Sequence, residues 1–222
     1  MLITGASRGI GAQTALQYAL AGASLTLVAR TQAALDASKD AILRERPSAQ
    51  VLTFPADVRD AKKAEEVVAA TVARFGQLDI LVANAGILRP MDKRALSPLT
   101  YIITALIADL CHLRKHSPRK IRTDGGMSLR SIFVGLTTSS SAGSSYTLFL
   151  VPNFYCLLTS FAVPELLKTK GQVVVLSSEV SQLRIPGMSE YCMSKHAMLR
   201  FAEFASIGNY PVHIARWMLI AL

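Results

Sequence analysis

The stretch that decides the fold is TGASRGIG at residues 4–11. It follows a short apolar segment that could end a strand and precedes a helical pattern over Gly11–Ala21. Glycines in such a turn permit positive φ and let the backbone approach a pyrophosphate, which the N–H groups and dipole of the following helix stabilise. The spacing is G-x-x-x-G-x-G, not the G-x-G-x-x-G of other dinucleotide sites. A glycine-rich turn alone can equally be structural, so its weight comes from its position between strand and helix.

Outward from this turn, apolar runs of strand length alternate with longer helical patterns. Apolar strands alternating with helices imply parallel strands covered on both faces, which predicts an α/β fold with a doubly wound sheet. The predicted strands after the turn are Ser24–Ala29, Val51–Phe54, Asp79–Ala83, Gln172–Leu176 and Pro211–Ile220, and the predicted helices are Ala33–Arg46, Ala61–Phe75, Phe154–Lys168 and Ser189–Ile207.

The segment at about residues 96–151 does not follow this alternation. It contains the basic run RKHSPRK at 114–120 and the low-complexity tract TTSSSAGSS at 137–145. A structureless stretch of this length is uncommon inside a compact domain. We therefore predict a single domain over residues 1–222, interrupted by an anomalous insertion at about 96–151. Translated non-coding sequence is one explanation of that segment.

The positive charge of the chain is concentrated in one region. The formal net charge is +9, and between Arg89 and Arg130 nine Lys and Arg stand against three Asp and Glu. About half of the residues are apolar and 18% are charged, which is typical of a globular protein. A charge excess confined to one segment favours a solvated or disordered segment over a surface that binds nucleic acid. The sequence therefore predicts no nucleic-acid partner.

The three cysteines (Cys111, Cys156 and Cys192) are scattered and lack histidines at ligand spacing. This pattern is typical of a reducing compartment and argues against a disulfide framework or a zinc site. We predict no metal and a cytoplasmic location. The apolar window at residues 146–163 holds a proline and an asparagine at its centre, which favours a buried helix. A membrane anchor through that window stays the competing interpretation.

A candidate catalytic set lies in the second half of the chain. Tyr191 and Lys195 have i,i+4 spacing, so they share one face of a helix. Such a pair usually lies on the protein surface and has no functional role. Beside a cofactor, however, an ammonium ion makes a phenol a usable proton donor and acceptor near neutrality. Ser178 follows the strand QVVVL and can hydrogen-bond a substrate oxygen on which charge develops.

Four motifs together resemble the short-chain dehydrogenase/reductase family. TGASRGIG looks like its cofactor loop, and Asn84-Ala85-Gly86 looks like the NAG motif after its fourth strand. Tyr191 and Lys195 match its Y-x-x-x-K motif, and Ser178 stands at the family's usual offset, thirteen residues before the tyrosine. The motifs occur in the family's order, and the resemblance covers residues 1–90 and 152–207.

The resemblance implies a Rossmann-like fold and a reaction. An oxidoreductase of this family transfers a hydride between NADP(H) and a carbonyl or secondary alcohol, with the tyrosine as acid and base. The resemblance also gives Lys195 a role in holding the nicotinamide ribose and makes Asn153 the candidate for the family's proton-relay asparagine. For Asn153, an N-cap of the helix beginning at Phe154 is the alternative. The predicted catalytic residues are Ser178, Tyr191, Lys195 and Asn153.

Cofactor preference is predicted from the end of the second strand. An acidic residue there would bind the adenosine ribose hydroxyls and favour NAD. Ala29 and Arg30 occupy this place, and the guanidiniums of Arg30 and Arg8 suit a 2′-phosphate, which favours NADP(H). Asp57 resembles the family residue that contacts the adenine. The full set of predicted cofactor-binding residues is Gly5, Ser7, Arg8, Gly9, Ile10, Gly11, Arg30, Asp57, Val58, Asn84, Ala85, Gly86, Tyr191 and Lys195.

The chain departs from the family pattern in two places. The separation of Asn84 from Asn153 is about twice that of family members, and after Asn209 at most one further strand is expected. We therefore expect a sheet that is incomplete at the C-terminus. The alternative to an active reductase is a catalytically impaired nucleotide-binding pseudo-enzyme or a defective gene product. A small-molecule carbonyl or alcohol is the expected partner, and a homo-oligomer is an open alternative to a monomer.

Overall fold

The computed structural model describes residues 1–57, 60–86, 147–183, 189–207 and 212–219. These residues form one parallel sheet in the order β3-β2-β1-β4-β5-β6, with helices between the strands. The strands are β1 (Leu2–Thr4), β2 (Leu25–Ala29), β3 (Val51–Pro55), β4 (Ile80–Ala83), β5 (Gln172–Ser178) and β6 (His213–Leu219). The helices are α1 (Gly9–Leu20), α2 (Gln32–Glu45), α3 (Ala61–Phe75), α4 (Thr147–Thr169) and α5 (Ser189–Ile207), with a 3₁₀ turn at Glu179–Gln182.

The predicted doubly wound, Rossmann-like α/β fold is confirmed. Every strand pair is parallel, and the strand order reverses at β1, which has β2 on one side and β4 on the other. Ligands of such sheets bind outside the carboxyl ends of the strands at this point of reversal. The glycine-rich turn after β1 and the NAG motif after β4 both lie at that edge.

Apolar cores cover both faces of the sheet, which explains why most strand residues are apolar. All five residues of β2 are buried. On one face the core includes Leu35 and Ile42 of α2, and on the other it includes Leu158 and Leu166 of α4. Side chains on both faces of the strands are therefore mostly apolar, and the polar Thr26 of β2 is buried with its hydroxyl hydrogen-bonded to that of Thr71.

Two sequence-based boundaries near the candidate site are wrong. Ser178 belongs to β5 rather than following it, because β5 pairs with β6 along its whole length, up to Ser178 opposite Leu219. Helix α4 begins at Thr147, so Asn153 lies inside the helix and the N-cap alternative is wrong. The helix continues across Pro152, although a proline inside a helix is unfavourable.

The predicted insertion lies mostly outside the described residues. Contacts divide the chain into one unit formed by Met1–Arg89 and Leu148–Leu222 and another formed by Pro90–Thr147. Apart from Thr147, every strand and helix described above lies in the first unit. A single domain over residues 1–222 with an insertion at about 96–151 stays a prediction.

Candidate nucleotide-binding and catalytic site

The turn after β1 needs glycine for two different physical reasons. Gly5 and Gly9 have φ of 67° and 56°, in the left-handed region that favours glycine. Gly5 also has no room for a side chain, because a Cβ there would lie 2.8 Å from the Cα of Ala85. Gly11 is limited by space, since its Cβ would lie 2.3 Å from the carbonyl oxygen of Gly5. The turn therefore combines left-handed backbone conformations with close contacts that leave no room for side chains at Gly5 and Gly11.

Side-chain hydrogen bonds join this turn to the NAG motif after β4. The Asn84 amide donates to the carbonyl oxygens of Thr4 at 2.9 Å and Gly5 at 3.3 Å. The Thr4 hydroxyl accepts from the backbone N–H groups of Asn84 and Ala85, both at 3.1 Å, and donates to the Val82 carbonyl. Sequence reasoning did not single out Thr4, although a threonine at a strand end beside a glycine turn was the available signal.

The N-terminus of α1 faces the carboxyl edge of the sheet with its donors available. Within the described residues, no side chain caps this helix end, where Arg8 has an extended backbone, and the first helical turn carries no acidic residue. The N–H groups and positive dipole end of such a helix attract a phosphate. A pyrophosphate therefore fits the turn, and the adjoining side chains of Arg8 and Ile10 are exposed.

The residues that the cofactor prediction names after β2 lie on the segments that follow β2 and β3. The carbonyl of Ala29, the last residue of β2, accepts a 2.8 Å hydrogen bond from the N–H of Ala56. The next residue, Arg30, is exposed, and Asp57 is half-buried on the neighbouring segment. Ser7 in the glycine turn is also half-buried. Val58 lies outside the described residues, so its predicted contact stays a prediction.

Lys195 is the buried cation of the candidate site. Its side chain lies between β5 and the NAG motif, with the residue 6% exposed. The Nζ atom donates to the Leu176 carbonyl at 2.8 Å and lies 5.9 Å from the centroid of the Tyr191 ring. A Cβ at Gly86 would be only 3.4 Å from Nζ. Loss of water lowers the Lys195 pKa to about 8.

The structure brings most of the predicted catalytic set to one part of the fold. Ser178 is buried at the carboxyl end of β5, while Tyr191 is half-buried on α5, one turn before Lys195. Asn153 lies on α4, and its side chain is outside the described part of the chain. The phenol, the ammonium and the glycine-rich turn thus approach the same end of the sheet.

A second hydrogen-bonded cluster holds the turn that follows Ser178. Arg200 donates from Nε to Nε2 of His196 at 3.3 Å, so Nε2 is the acceptor and Nδ1 carries the proton. Nδ1 then donates to the Ser181 carbonyl at 3.0 Å, and Arg200 is in turn paired with Glu203. No motif pointed to this cluster, which attaches the 3₁₀ turn at Glu179–Gln182 to α5.

The described residues contain no candidate metal site and no candidate membrane span. No group of three or more His, Cys, Asp or Glu side chains there could hold a metal ion. Cys192, beside Tyr191, is a buried free cysteine. In the same described ranges, no helix combines the length and the apolar character needed to cross a membrane.

The buried ammonium makes stability depend on pH. Because the Lys195 pKa falls from 10.5 to about 8, the unfolded chain holds more protons than the folded protein between these two values. Stability therefore rises with pH across that window, as the cost of burying the charge disappears. Relative to a Lys195→Met variant, which has no titrating group, the wild type should gain up to about 3 kcal/mol of unfolding free energy between pH 8 and 10.5. Urea unfolding of both proteins at several pH values measures this change. If the unfolding free energies of the wild type and the variant change with pH in the same way, the prediction is contradicted.

Comparison with known proteins agrees with this geometry. The family model described as short chain dehydrogenase matches residues 1–104. The "11-beta-hydroxysteroid dehydrogenase-like 3" of Arabidopsis thaliana is 30% identical over 211 residues, which are 95% of this chain and 54% of that protein. The chain spans about half the length of the curated relatives it matches.

Solved structures give the same result. The crystal structure of levodione reductase aligns with a TM-score of 0.69 and 26% identity, over 99% of this chain and 70% of that one. An alcohol dehydrogenase from the archaeon Thermococcus sibiricus, complexed with 5-hydroxy-NADP, shares the fold with a TM-score of 0.71 at 23% identity, over 100% of this chain and 75% of that one. The chain belongs to the short-chain dehydrogenase/reductase family.

Proposed function

We propose that the chain is an NADP(H)-dependent oxidoreductase that transfers a hydride between the cofactor and a carbonyl or secondary alcohol of a small molecule. The observation that carries the proposal is the buried Lys195 ammonium, which lies beside the Tyr191 ring at the end of the sheet that bears the glycine-rich turn. Among the described residues no carboxylate pairs with this ammonium, and a charged group buried without such a partner costs stability. Such a cost is typical of a functional site.

The described residues fit the cofactor. The open N-terminus of α1 and the crowded turn before it would hold the pyrophosphate, and Lys195 would hold the nicotinamide ribose. Arg8 and Arg30, both exposed at this edge of the sheet, would pair with a 2′-phosphate. When bound, the nicotinamide supplies or accepts the hydride.

The side chains of α5 and β5 would handle the proton. Tyr191 would donate its phenolic proton to the carbonyl oxygen during reduction and take it back during oxidation. The Lys195 ammonium would stabilise the negative charge left on the phenolate. Ser178 would hold the substrate oxygen through its hydroxyl. The proton-relay role of Asn153 rests on the resemblance of motif order alone.

The first test is cofactor preference. Wild-type protein should bind NADPH more tightly than NADH, as measured by isothermal titration calorimetry. Arg30→Asp removes a charge-assisted bond and places a like charge beside the phosphate, so NADPH affinity should fall by about 100-fold while NADH affinity changes little. Equal wild-type affinities for the two cofactors would contradict the preference.

The control for this test is a matched charge reversal elsewhere. Arg74 is an exposed arginine in the last turn of α3, at the opposite edge of the sheet. Arg74→Asp should leave both affinities near their wild-type values. If Arg74→Asp weakens NADPH as much as Arg30→Asp does, the loss reflects net charge rather than a phosphate contact.

The second candidate function is nucleotide binding without turnover. The wide separation of Asn84 from Asn153, about twice that of family members, is the observation that favours it. Tight NADPH binding with no loss of NADPH absorbance across a panel of aldehydes and ketones would select this candidate. Consumption of NADPH with any member of the panel would select the reductase.

A cytoplasmic location, inferred from the scattered cysteines, stays a prediction.

A further inference from the structure

Two consecutive residues of β5 hold opposite ends of Lys195. The Ser177 hydroxyl donates to the main-chain carbonyl of Lys195 at 2.9 Å, and the Lys195 ammonium donates to the Leu176 carbonyl at 2.8 Å. Ser177 is 3% exposed and Lys195 is 6% exposed, so water competes with neither bond. Strand β5 and helix α5 are therefore joined by a hydrogen bond to the main chain of Lys195 as well as by one from its ammonium.

The two bonds fix different degrees of freedom. The bond to Leu176 holds the ammonium, but a lysine side chain is long and flexible, so it does not by itself fix the helix. The bond from Ser177 acts on the main chain of α5 and sets where the helix lies along β5. Because Tyr191 is one turn away on the same helix, a shift of α5 at Lys195 would displace the phenol as well.

The hydroxyl of Ser177 is not needed to complete the helix. A carbonyl oxygen has two lone pairs, and the Lys195 carbonyl can accept the usual intrahelical bond in addition to the one from Ser177. The neighbours of Ser177 on β5 include Val175 and Leu176, both buried in the apolar cores. A small apolar residue would suit such surroundings, whereas a buried hydroxyl is costly unless it is hydrogen-bonded.

We propose that Ser177 is a positioning residue, whose hydrogen bond to the Lys195 main chain keeps the Lys195 ammonium and the Tyr191 phenol in place beside the carboxyl end of β5. This role rests on the proposed function, because it concerns the placement of that function's catalytic groups. It goes beyond that function because the roles proposed above for binding cofactor and substrate and for moving the proton do not involve Ser177.

The test compares Ser177→Ala with two controls. Ser177→Thr keeps the hydroxyl and is the conservative rescue. Ser38→Ala makes the same chemical change at a buried serine of α2, whose hydroxyl donates to the Ala34 carbonyl of its own helix. Circular dichroism and thermal unfolding first establish that each variant is folded.

The first readout does not depend on turnover. In protein labelled with ¹⁵N-lysine, the NMR signal of Lys195 is assigned by its loss in Lys195→Met and then followed through a pH titration. Wild type, Ser177→Thr and Ser38→Ala should titrate near the lowered pKa of about 8. In Ser177→Ala the ammonium gains water, so its pKa should move toward the ordinary lysine value.

The second readout is catalysis with NADPH and an accepted carbonyl. Ser177→Ala should lower kcat by about tenfold or more with little change in KM for the carbonyl, because small misplacements of reacting groups are costly. Its pH–rate profile should shift with the Lys195 titration. A serine that only stabilises the fold would lower the unfolding temperature and move neither the titration nor the profile.

The outcomes separate this inference from the proposed function. An active Ser177→Ala whose Lys195 titration matches that of Ser38→Ala overturns the positioning role and leaves the reductase intact. A shifted titration in a chain without turnover supports the positioning role and removes the proposed function. If Ser177→Ala does not fold, Ser177→Cys keeps the volume with a weak donor, and the same two results decide.

Discussion

Replacing Tyr191 with phenylalanine is expected to lower the rate of carbonyl reduction by about 10²- to 10⁴-fold, because the change removes the proton donor and little else. The ring would still pack on α5, and the Lys195 ammonium would keep its bond to the Leu176 carbonyl. NADPH should therefore bind with nearly unchanged affinity. A loss in kcat without a loss in cofactor affinity is the signature of an interaction made only in the transition state.

The control is the same substitution at another half-buried tyrosine. Tyr18 lies on α1 and packs against the core on the other side of the sheet. Tyr18→Phe should keep both its activity and its cofactor affinity. Calorimetric titration with NADPH and single-turnover rates measure the two quantities separately. If Tyr191→Phe keeps most of its activity, another group supplies the proton and the assignment of Tyr191 is wrong.

Most of the fold could be predicted from the sequence because the information is local. The helix at Ala61–Phe75 was predicted with its observed bounds, since Asp60 accepts a hydrogen bond from the N–H of Lys62 at one end and Gly76 has φ of 81° at the other. Apolar strands buried on both faces and a glycine turn were sufficient to predict a parallel sheet. Each of these signals lies within a short stretch of the sequence.

The parts that could not be predicted depend on register between distant elements. That β5 includes Ser178 follows from its pairing with β6, and nothing within QVVVLSS marks that limit. The hydrogen bond between Ser177 and Lys195 depends on how α5 lies along β5, and the bonds from Thr4 span about eighty residues. Periodicity shows which face of an element is buried, but it does not show which atom of the neighbouring element meets it.

The same limit applies to Asn84. The motif resemblance made it a cofactor-binding residue, and the structure shows its amide donating to the carbonyls of Thr4 and Gly5. Its side chain therefore braces the glycine turn against the end of β4. The turn keeps its shape because of contacts with residues about eighty positions away in the sequence. It is therefore sensitive to substitutions that helix propensity alone would predict to be harmless.

Gly11→Ala is such a change, and it should have a large effect on stability. Gly11 lies in α1 and does not have a positive φ, so by helix propensity alone alanine would stabilise the helix by about 1 kcal/mol. The added Cβ would instead lie 2.3 Å from the Gly5 carbonyl oxygen and 2.5 Å from the Asn84 amide nitrogen. Since one of these atoms is backbone, relief requires the loop to open. We expect a loss of about 3 kcal/mol of unfolding free energy, together with most of the NADPH affinity.

Gly9 provides the contrast within the same turn. A Cβ at Gly9 would meet no atom within 4 Å, so the cost of Gly9→Ala comes only from its φ of 56°. That cost is about 1 to 2 kcal/mol, and Gly9→Asn should recover part of it because asparagine tolerates the left-handed region. At Gly11 asparagine should be worse than alanine, since the conflict there is one of space. Urea unfolding of the four variants distinguishes the two causes. If Gly11→Ala is as stable as the wild type, the contact between the turn and Asn84 is looser than the structure indicates, and the bracing role of Asn84 is wrong.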